Sequence, residues 1–271
     1  MITRKIRLGP NELRLLFTLE KEGKVVFLTS DAHRILRSSG ASVNNVLYRL
    51  RSKGRIEEIE KGKYLLIPAK AGYEGLWSEL PFLIVPHLIG NYYIGFWSAL
   101  NYWGMTEQVP NTVLVATTKR KRRLEYGNAR FEFITLSKKR FFGFKEETVA
   151  GSIVNISTKE KTIIDCLAFP EYCGGLDEAA KGIWSEREEL DYGKLVEFSI
   201  RFGVNVVVRR LAYLLDLLEI DNKETSRLAK MKFKGFAWLD PLGPKRVLEY
   251  SKKYGLMINR TKKELTHWMG Y

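Results

Sequence analysis

Two cysteines, three histidines and no long apolar run set the outer limits of this 271-residue chain. Cys166 and Cys173 are spaced C-x6-C, which matches neither a zinc knuckle nor a redox pair, and no histidine is near them in sequence. They read as two reduced thiols of an intracellular protein. His33, His87 and His267 are too scattered to form a metal site. No stretch reaches the ~18 apolar residues of a membrane span. The opening MITRKIRLGP lacks the apolar core of a secretory signal, so a cytoplasmic location is expected and a membrane partner is not.

Catalytic signatures are missing too. The chain has no GxxxxGK[ST] loop, no GxSxG elbow, no HExxH helix and no HRD/DFG pair. Gly151-Ser152 resembles the start of a nucleotidyltransferase motif, but no D-x-D follows. A nuclease of the carboxylate-plus-ExK kind needs a lysine two residues after the strand's glutamate, and Ile134 follows Glu132 there. Glu160 and Asp165 are five apart on an expected helix, so their side chains diverge. The chain therefore reads as a non-enzyme with no cofactor and no catalytic or metal-binding residue.

Acidic residues are also in deficit: 45 Lys+Arg face 31 Asp+Glu, a formal charge of +14. Residues 1–70 carry +8 of that excess. Such concentration points to a polyanionic partner, most often nucleic acid.

The informative stretch is Ser42 to Ile67, SVNNVLYRLRSKGRIEEIEKGKYLLI. Val43, Val46, Leu47 and Leu50 repeat at i, i+3, i+4 and i+7, one apolar helix face. Asn45, Tyr48 and Ser52 point away from it, flanked by Asn44 and Arg49. Amides, a phenol and a guanidinium are groups that read base edges and hold phosphates. Gly54 stops the helix, and Arg51 and Lys53 suit its last turn. Arg55 to Ile59 and Tyr64 to Ile67 form a ribbon across Lys61-Gly62-Lys63, closed by Pro68.

Upstream, Pro10 and Asn11 open a helix whose faces are marked by Leu13, Leu16, Phe17 and Glu20, and Gly23 stops it. Val25 to Leu28 reads as a strand. Thr29 or Ser30 caps a second helix with Asp31 in its first turn, and Gly40 breaks it. Helix, strand, helix, turn, helix, ribbon is the order of a winged helix-turn-helix. The expected DNA-contacting set is Ser42, Asn44, Asn45, Tyr48, Arg49, Arg51, Lys53, Lys61 and Lys63.

Residues 68–75 read as a linker, dividing the chain into 1–70 and 76–271. Pro81 and Pro86 argue against one continuous helix over Leu76 to Ile89. A helix from about Gly95 places Phe96, Leu100 and Trp103 together as core. Strands are expected at Val113 to Thr117, Phe131 to Leu136 and Ser152 to Ile156. Between them lie two basic connections, Lys119, Arg120, Lys121, Arg122 and Arg123, then Lys138, Lys139 and Arg140, a possible second polyanion surface. Helices follow: one capped by Ser157 or Thr158 and ended by Pro170, then Leu176 to Trp184, Tyr192 to Arg201 and Val204 to Leu218. The tail is turn-rich, with a strand at Leu256 to Ile258. The expected class is α+β: an N-terminal winged helix-turn-helix, then a mixed α/β domain ending in a helical bundle.

Several segments, in order, resemble the AbiEi-type antitoxin family, the transcriptional regulators of type IV toxin-antitoxin modules. They are YIGFWSALNYWGMTEQ (Tyr93 to Gln108), Thr117-Thr118-Lys119-Arg120, STKEKTIIDCL (Ser157 to Leu167, with Lys161 where arginine is common), GGLDE (Gly174 to Glu178), RRLAYLLDLL (Arg209 to Leu218), Leu239-Asp240-Pro241 and YGLMIN (Tyr254 to Asn259). The resemblance implies a repressor of its own operon that binds inverted repeats in double-stranded operator DNA. It also implies a C-terminal domain, 76–271, that counteracts a nucleotidyltransferase-like toxin by acting on the toxin's effect or target, without requiring a stable complex with the toxin. The residues by themselves leave two alternatives: a nucleic-acid enzyme with a nuclease-like second domain, or a protein-binding adaptor.

Overall fold

A computed structural model describes residues 7–67, 81–126, 129–149 and 151–270. Pro68 and the expected linker 68–75 lie outside these. The chain forms two compact units, residues 1–90 with 125–129, and residues 91–124 with 130–271.

The first unit is a winged helix. Its elements are α1 (Pro10–Lys21), β1 (Val26–Leu28), α2 (Thr29–Leu36), α3 (Gly40–Ser52), β2 (Ile56–Glu60) and β3 (Lys63–Leu66). The strands pair antiparallel in the order β1-β3-β2. Leu15, Leu19, Phe27, Ile35, Val43, Leu47, Leu50 and Ile56 fill its core. Phe17, expected on a helix face, is 60% exposed. The break between α2 and α3 is one turn earlier than expected. Arg37 takes the left-handed conformation (φ 50°), Ser39 caps α3 by accepting from the Ser42 amide, and Gly40 is the first helical residue. A 3-10 turn (Pro81–Ile84) and α4 (Val85–Leu88) complete this unit, consistent with the two prolines.

The second unit is built on a six-stranded mixed sheet, of which the edge residues 125–129 group with the first unit. Its strands are β4 (Tyr92–Ile94), β5 (Thr112–Thr117), β6 (Leu124–Tyr126), β7 (Ala129–Thr135), β8 (Phe144–Val149) and β9 (Ser152–Ser157), ordered β6-β7-β5-β4-β9-β8. β5 runs parallel to β7, and β4 parallel to β9. α5 (Phe96–Tyr102) follows β4; α6 (Lys159–Ala168), α7 (Leu176–Ser185), α8 (Tyr192–Phe202), α9 (Asn205–Leu217) and α10 (Lys223–Ala229) follow β9. α6 packs against α5, α7, α8 and α9, so nearly its whole circumference is buried.

That position explains a polar cluster inside the core. Lys161 and Asp165, one helical turn apart on α6, are fully buried and paired. Lys161 Nζ also donates to the Tyr93 hydroxyl (2.8 Å), which donates to Asp165 Oδ2 (2.8 Å). The Tyr93, Phe142 and Phe202 rings surround the ammonium at 5.1–5.2 Å from their centroids. Burial pushes the Tyr93 phenol well up, helped by the Asp165 charge, which keeps it a neutral donor.

The helical bundle does not end the chain. β10 (Ala237–Trp238), β11 (Glu249–Ser251) and β12 (Leu256–Ile258) form a small sheet in the order β10-β12-β11, followed by α11 (Lys262–Leu265). Two consecutive buried arginines of α9 hold it. Arg209 donates to the carbonyls of Lys234, Gly235 and Gly255, and Arg210 to those of Leu167, Trp238 and Leu239. Burial pushes the Arg210 guanidinium down to about 10, still fully charged at neutral pH. Asn259 and Arg260 bind Asp240 at 2.8–3.0 Å and close the same segment.

Candidate nucleic-acid interface

The apolar repeat of α3 turns Val43, Val46, Leu47 and Leu50 into the core. Asn44, Asn45, Tyr48 and Arg49 are exposed as a consequence, Tyr48 at 72%. None of the four has a side-chain hydrogen-bond or ion-pair partner among the described residues. Their donors and acceptors stand ready for a ligand. Ser42 is half-buried beside the cap, and Ser52 Oγ donates back to the Tyr48 carbonyl at 2.9 Å.

The wing is fixed against the rest of this unit at its tip. Gly62 adopts φ +74°, and its carbonyl accepts from the Thr29 amide at 2.9 Å, where α2 begins. A Cβ at Gly62 would come within 3.2 Å of Thr29 Oγ1, so glycine serves both the turn and the contact. Glu58 joins wing to helix: Oε1 accepts from the Gly62 amide (3.3 Å) and Oε2 from Arg51 (2.7 Å). Lys61 at the tip is exposed and has no ion-pair partner among the described residues.

Three expected phosphate contacts are otherwise engaged. Lys53 points at α1, where its Nζ is 2.6 and 2.8 Å from the oxygens of Glu12, itself 3% exposed. Burial pulls the Glu12 carboxyl up, but hydrogen bonds from Lys53 and the Gly9 amide and the Lys53 and Arg49 charges outweigh it, and the carboxyl lies below its usual range. Lys63 pairs with Glu60 at 2.9 Å and donates to the His87 carbonyl at 2.8 Å. Arg51 pairs with Glu58. A residue missed in the sequence is Arg37, exposed in the turn that leads into α3. Its signal was concealed because an arginine gives no hint of a left-handed turn.

The two basic connections of the second unit leave one end of the sheet. β5 and β7 are parallel and in register, Thr117 beside Thr135, and the Leu136 amide donates to the Thr117 carbonyl at 2.8 Å. Both chains therefore exit together. Lys119, Arg120, Arg122, Lys138 and Lys139 are exposed there without ion-pair partners among the described residues. Lys121 folds back over the Phe133 ring (5.7 Å) and Arg140 over Phe202 (5.2 Å). Lys139 Nζ lies against Gly203 at the C-terminal end of α8, where the helix dipole favours a cation. Arg123 is exposed next to Leu124.

The carboxylates weighed for nuclease chemistry do not converge. Asp165 is enclosed with Lys161, whereas Glu160 accepts from the Asp191 amide at 3.2 Å. Among the described residues no group of three or more His, Cys, Asp or Glu could hold a metal ion. Nor, among them, is any helix long and apolar enough to cross a membrane. Both cysteines are free and buried.

Curated proteins give no match to this chain. Among solved structures, the crystal structure of the RV2827C protein from Mycobacterium tuberculosis superposes with a TM-score of 0.73 at 14% identity, covering 100% of this chain and 98% of that one. The likeness is one of fold. Residues 14–67, from within α1 to the end of the wing, match the family of the AbiEi antitoxin transcriptional regulators.

Proposed function

We propose that the chain is a cytoplasmic, winged-helix repressor of its own operon and the antitoxin of a type IV toxin-antitoxin pair. Residues 1–70 are the DNA-binding domain and 76–271 the antitoxin domain, directed against a nucleotidyltransferase-like toxin or its target. The observation that carries the DNA reading is the unpartnered Asn44, Asn45, Tyr48 and Arg49 face of α3 beside the anchored wing. The family match over the same residues supports it. α3 enters the major groove with Asn45 and Arg49 toward base edges, and Lys61 meets the backbone. Arg51, Lys53 and Lys63 stiffen the domain more than they touch DNA, because each already has a carboxylate. Lys119, Arg120 and Lys138 offer a second polyanion surface on the other unit.

The test is an anisotropy titration of the full chain with the duplex upstream of its own gene, at several salt concentrations, against a scrambled duplex. The reading requires sequence-preferring binding whose log K falls linearly with log salt. Arg49→Ala should weaken operator binding by ~1–3 kcal/mol while leaving the scrambled duplex little changed. Equal, weak binding to both duplexes by the native chain would overturn the repressor. Toxin rescue by co-expression tests the antitoxin half separately.

A further inference from the structure

We propose that the outer face of the terminal three-stranded sheet binds single-stranded RNA by stacking its bases on exposed aromatic rings. The pairing register sets that face. Trp238 on β10, Met257 on β12 and Tyr250 on β11 are direct cross-strand partners, so their side chains form one row. Leu256 and Ile258 alternate with Met257 and are buried beneath. Phe236, two residues before Trp238, meets the Tyr250 ring edge to face at 5.2 Å. Tyr250 is 56% exposed and Phe236 46%, while Trp238 and Met257 are half-buried.

A row of rings in water needs an explanation, and its surroundings supply one. Residues 230–253 contain seven Lys or Arg, of which Lys253 pairs with Asp216 at 3.0 Å, against two acids, Asp240 and Glu249. Asp240 is already neutralised by Arg260 at 2.8 Å. Lys245 Nζ is 5.4 Å from the centre of the Trp238 ring. Lys232, Lys234 and Lys252 are exposed and have no ion-pair partner among the described residues. Rings flanked by cations suit a polyanion that also offers flat apolar faces. A duplex keeps those faces inside its stack; a single strand presents them. Single strands with unpaired bases are, in a cell, chiefly RNA.

The platform is also rigid. Arg209 and Arg210 hold the carbonyls of Lys234, Gly235, Trp238 and Leu239 on either side of Phe236, so the rings are presented without ordering a loop on binding. This proposal does not rest on the operator reading, since it uses different residues of a different unit.

The experiment is fluorescence anisotropy of the full chain with labelled rU12, dT12 and a 12-base-pair duplex. Tyr250→Ala and Phe236→Ala should each weaken rU12 binding about 5- to 100-fold. Tyr250→Phe should retain it, and Lys252→Glu, at a position outside the ring contacts, should weaken it while preserving the fold. Duplex binding should not respond to the ring substitutions. No rU12 binding at low salt overturns the proposal. So does rU12 binding that ignores the ring substitutions, that is displaced equally by polyglutamate of the same charge, or that dT12 outcompetes. Displacement by polyglutamate would mark the face as a dock for an acidic protein.

Discussion

Replacing Lys53 by methionine separates a structural lysine from a phosphate-binding one. In the native chain the Glu12 carboxylate is 3% exposed and accepts from the Gly9 amide and twice from Lys53. Lys53→Met keeps the aliphatic stem and removes the charge, leaving a buried carboxylate with one amide. Losing one partner of a fully buried pair costs about 3–5 kcal/mol. Two features reduce that here. The Lys53 side chain is 28% exposed, so the pair reaches solvent. The variant can also escape by protonating Glu12. At pH 7 this means working about 2.5 units above the ordinary value, at ~1.4 kcal/mol each, a ceiling of about 3.5 kcal/mol. We expect a loss of ~2 kcal/mol at pH 7. The pH dependence carries the sign. Glu12 in the native chain has a lowered pKa, so its contribution is present above the usual 4.5 and disappears as pH falls through the folded value. In Lys53→Met burial acts unopposed by that cation and raises the carboxyl, so acidification from pH 7 to 5 should shrink the deficit to below ~1 kcal/mol. Native-state hydrogen exchange of peptides from α1 and α3, corrected for intrinsic rates, reads the opening free energy of this unit alone. Unchanged protection at pH 7, together with a smaller salt dependence of DNA binding, would refute the reasoning and return Lys53 to the phosphate backbone.

Three further perturbations test other contacts. Lys61→Ala should lower the slope of log K against log salt by about 0.9 and weaken all duplexes alike; a loss confined to the operator would contradict a phosphate role. Lys161→Met should destabilise the second unit by ~3–5 kcal/mol, because Asp165 is left enclosed without its cation. Adding Asp165→Leu and Tyr93→Phe should recover most of it, and a triple variant as unstable as the single one would argue against the pair. Arg210→Met should strip three carbonyls of their donor and raise hydrogen exchange in 237–258 at least tenfold while α6 to α8 remain protected; uniform loosening would mean the tail sheet is not a separate layer.

The winged helix was legible because local signals there agree with the fold. The 3.6-residue repeat of Val43, Val46, Leu47 and Leu50 alone fixes which residues of α3 face outward, and Gly54 and Gly62 mark places where the backbone turns left-handed. What periodicity could not disclose was which outward cations are free. Lys53 is 41 residues from Glu12 in sequence, and only the packing of α1 on α3 brings them together. The second unit hid more. Tyr92–Ile94 is a three-residue strand just ahead of the helix expected from about Gly95, too short to show a period of its own, yet it pairs with β5 and β9 in the middle of the sheet. The pairing of Lys161 with Asp165 inside the core was not legible, because helical spacing says nothing of a helix surrounded on four sides. Arg209 and Arg210 follow the same logic. A tail of strands two or three residues long has few ladder bonds of its own. The buried guanidiniums supply donors to carbonyls that would otherwise lack them, and a planar fork with five N–H groups is the side chain that can satisfy several at once. Charge inside this unit thus does the work of missing sheet, which is why a basic composition gave so little warning of which arginines would meet solvent and which would never see it.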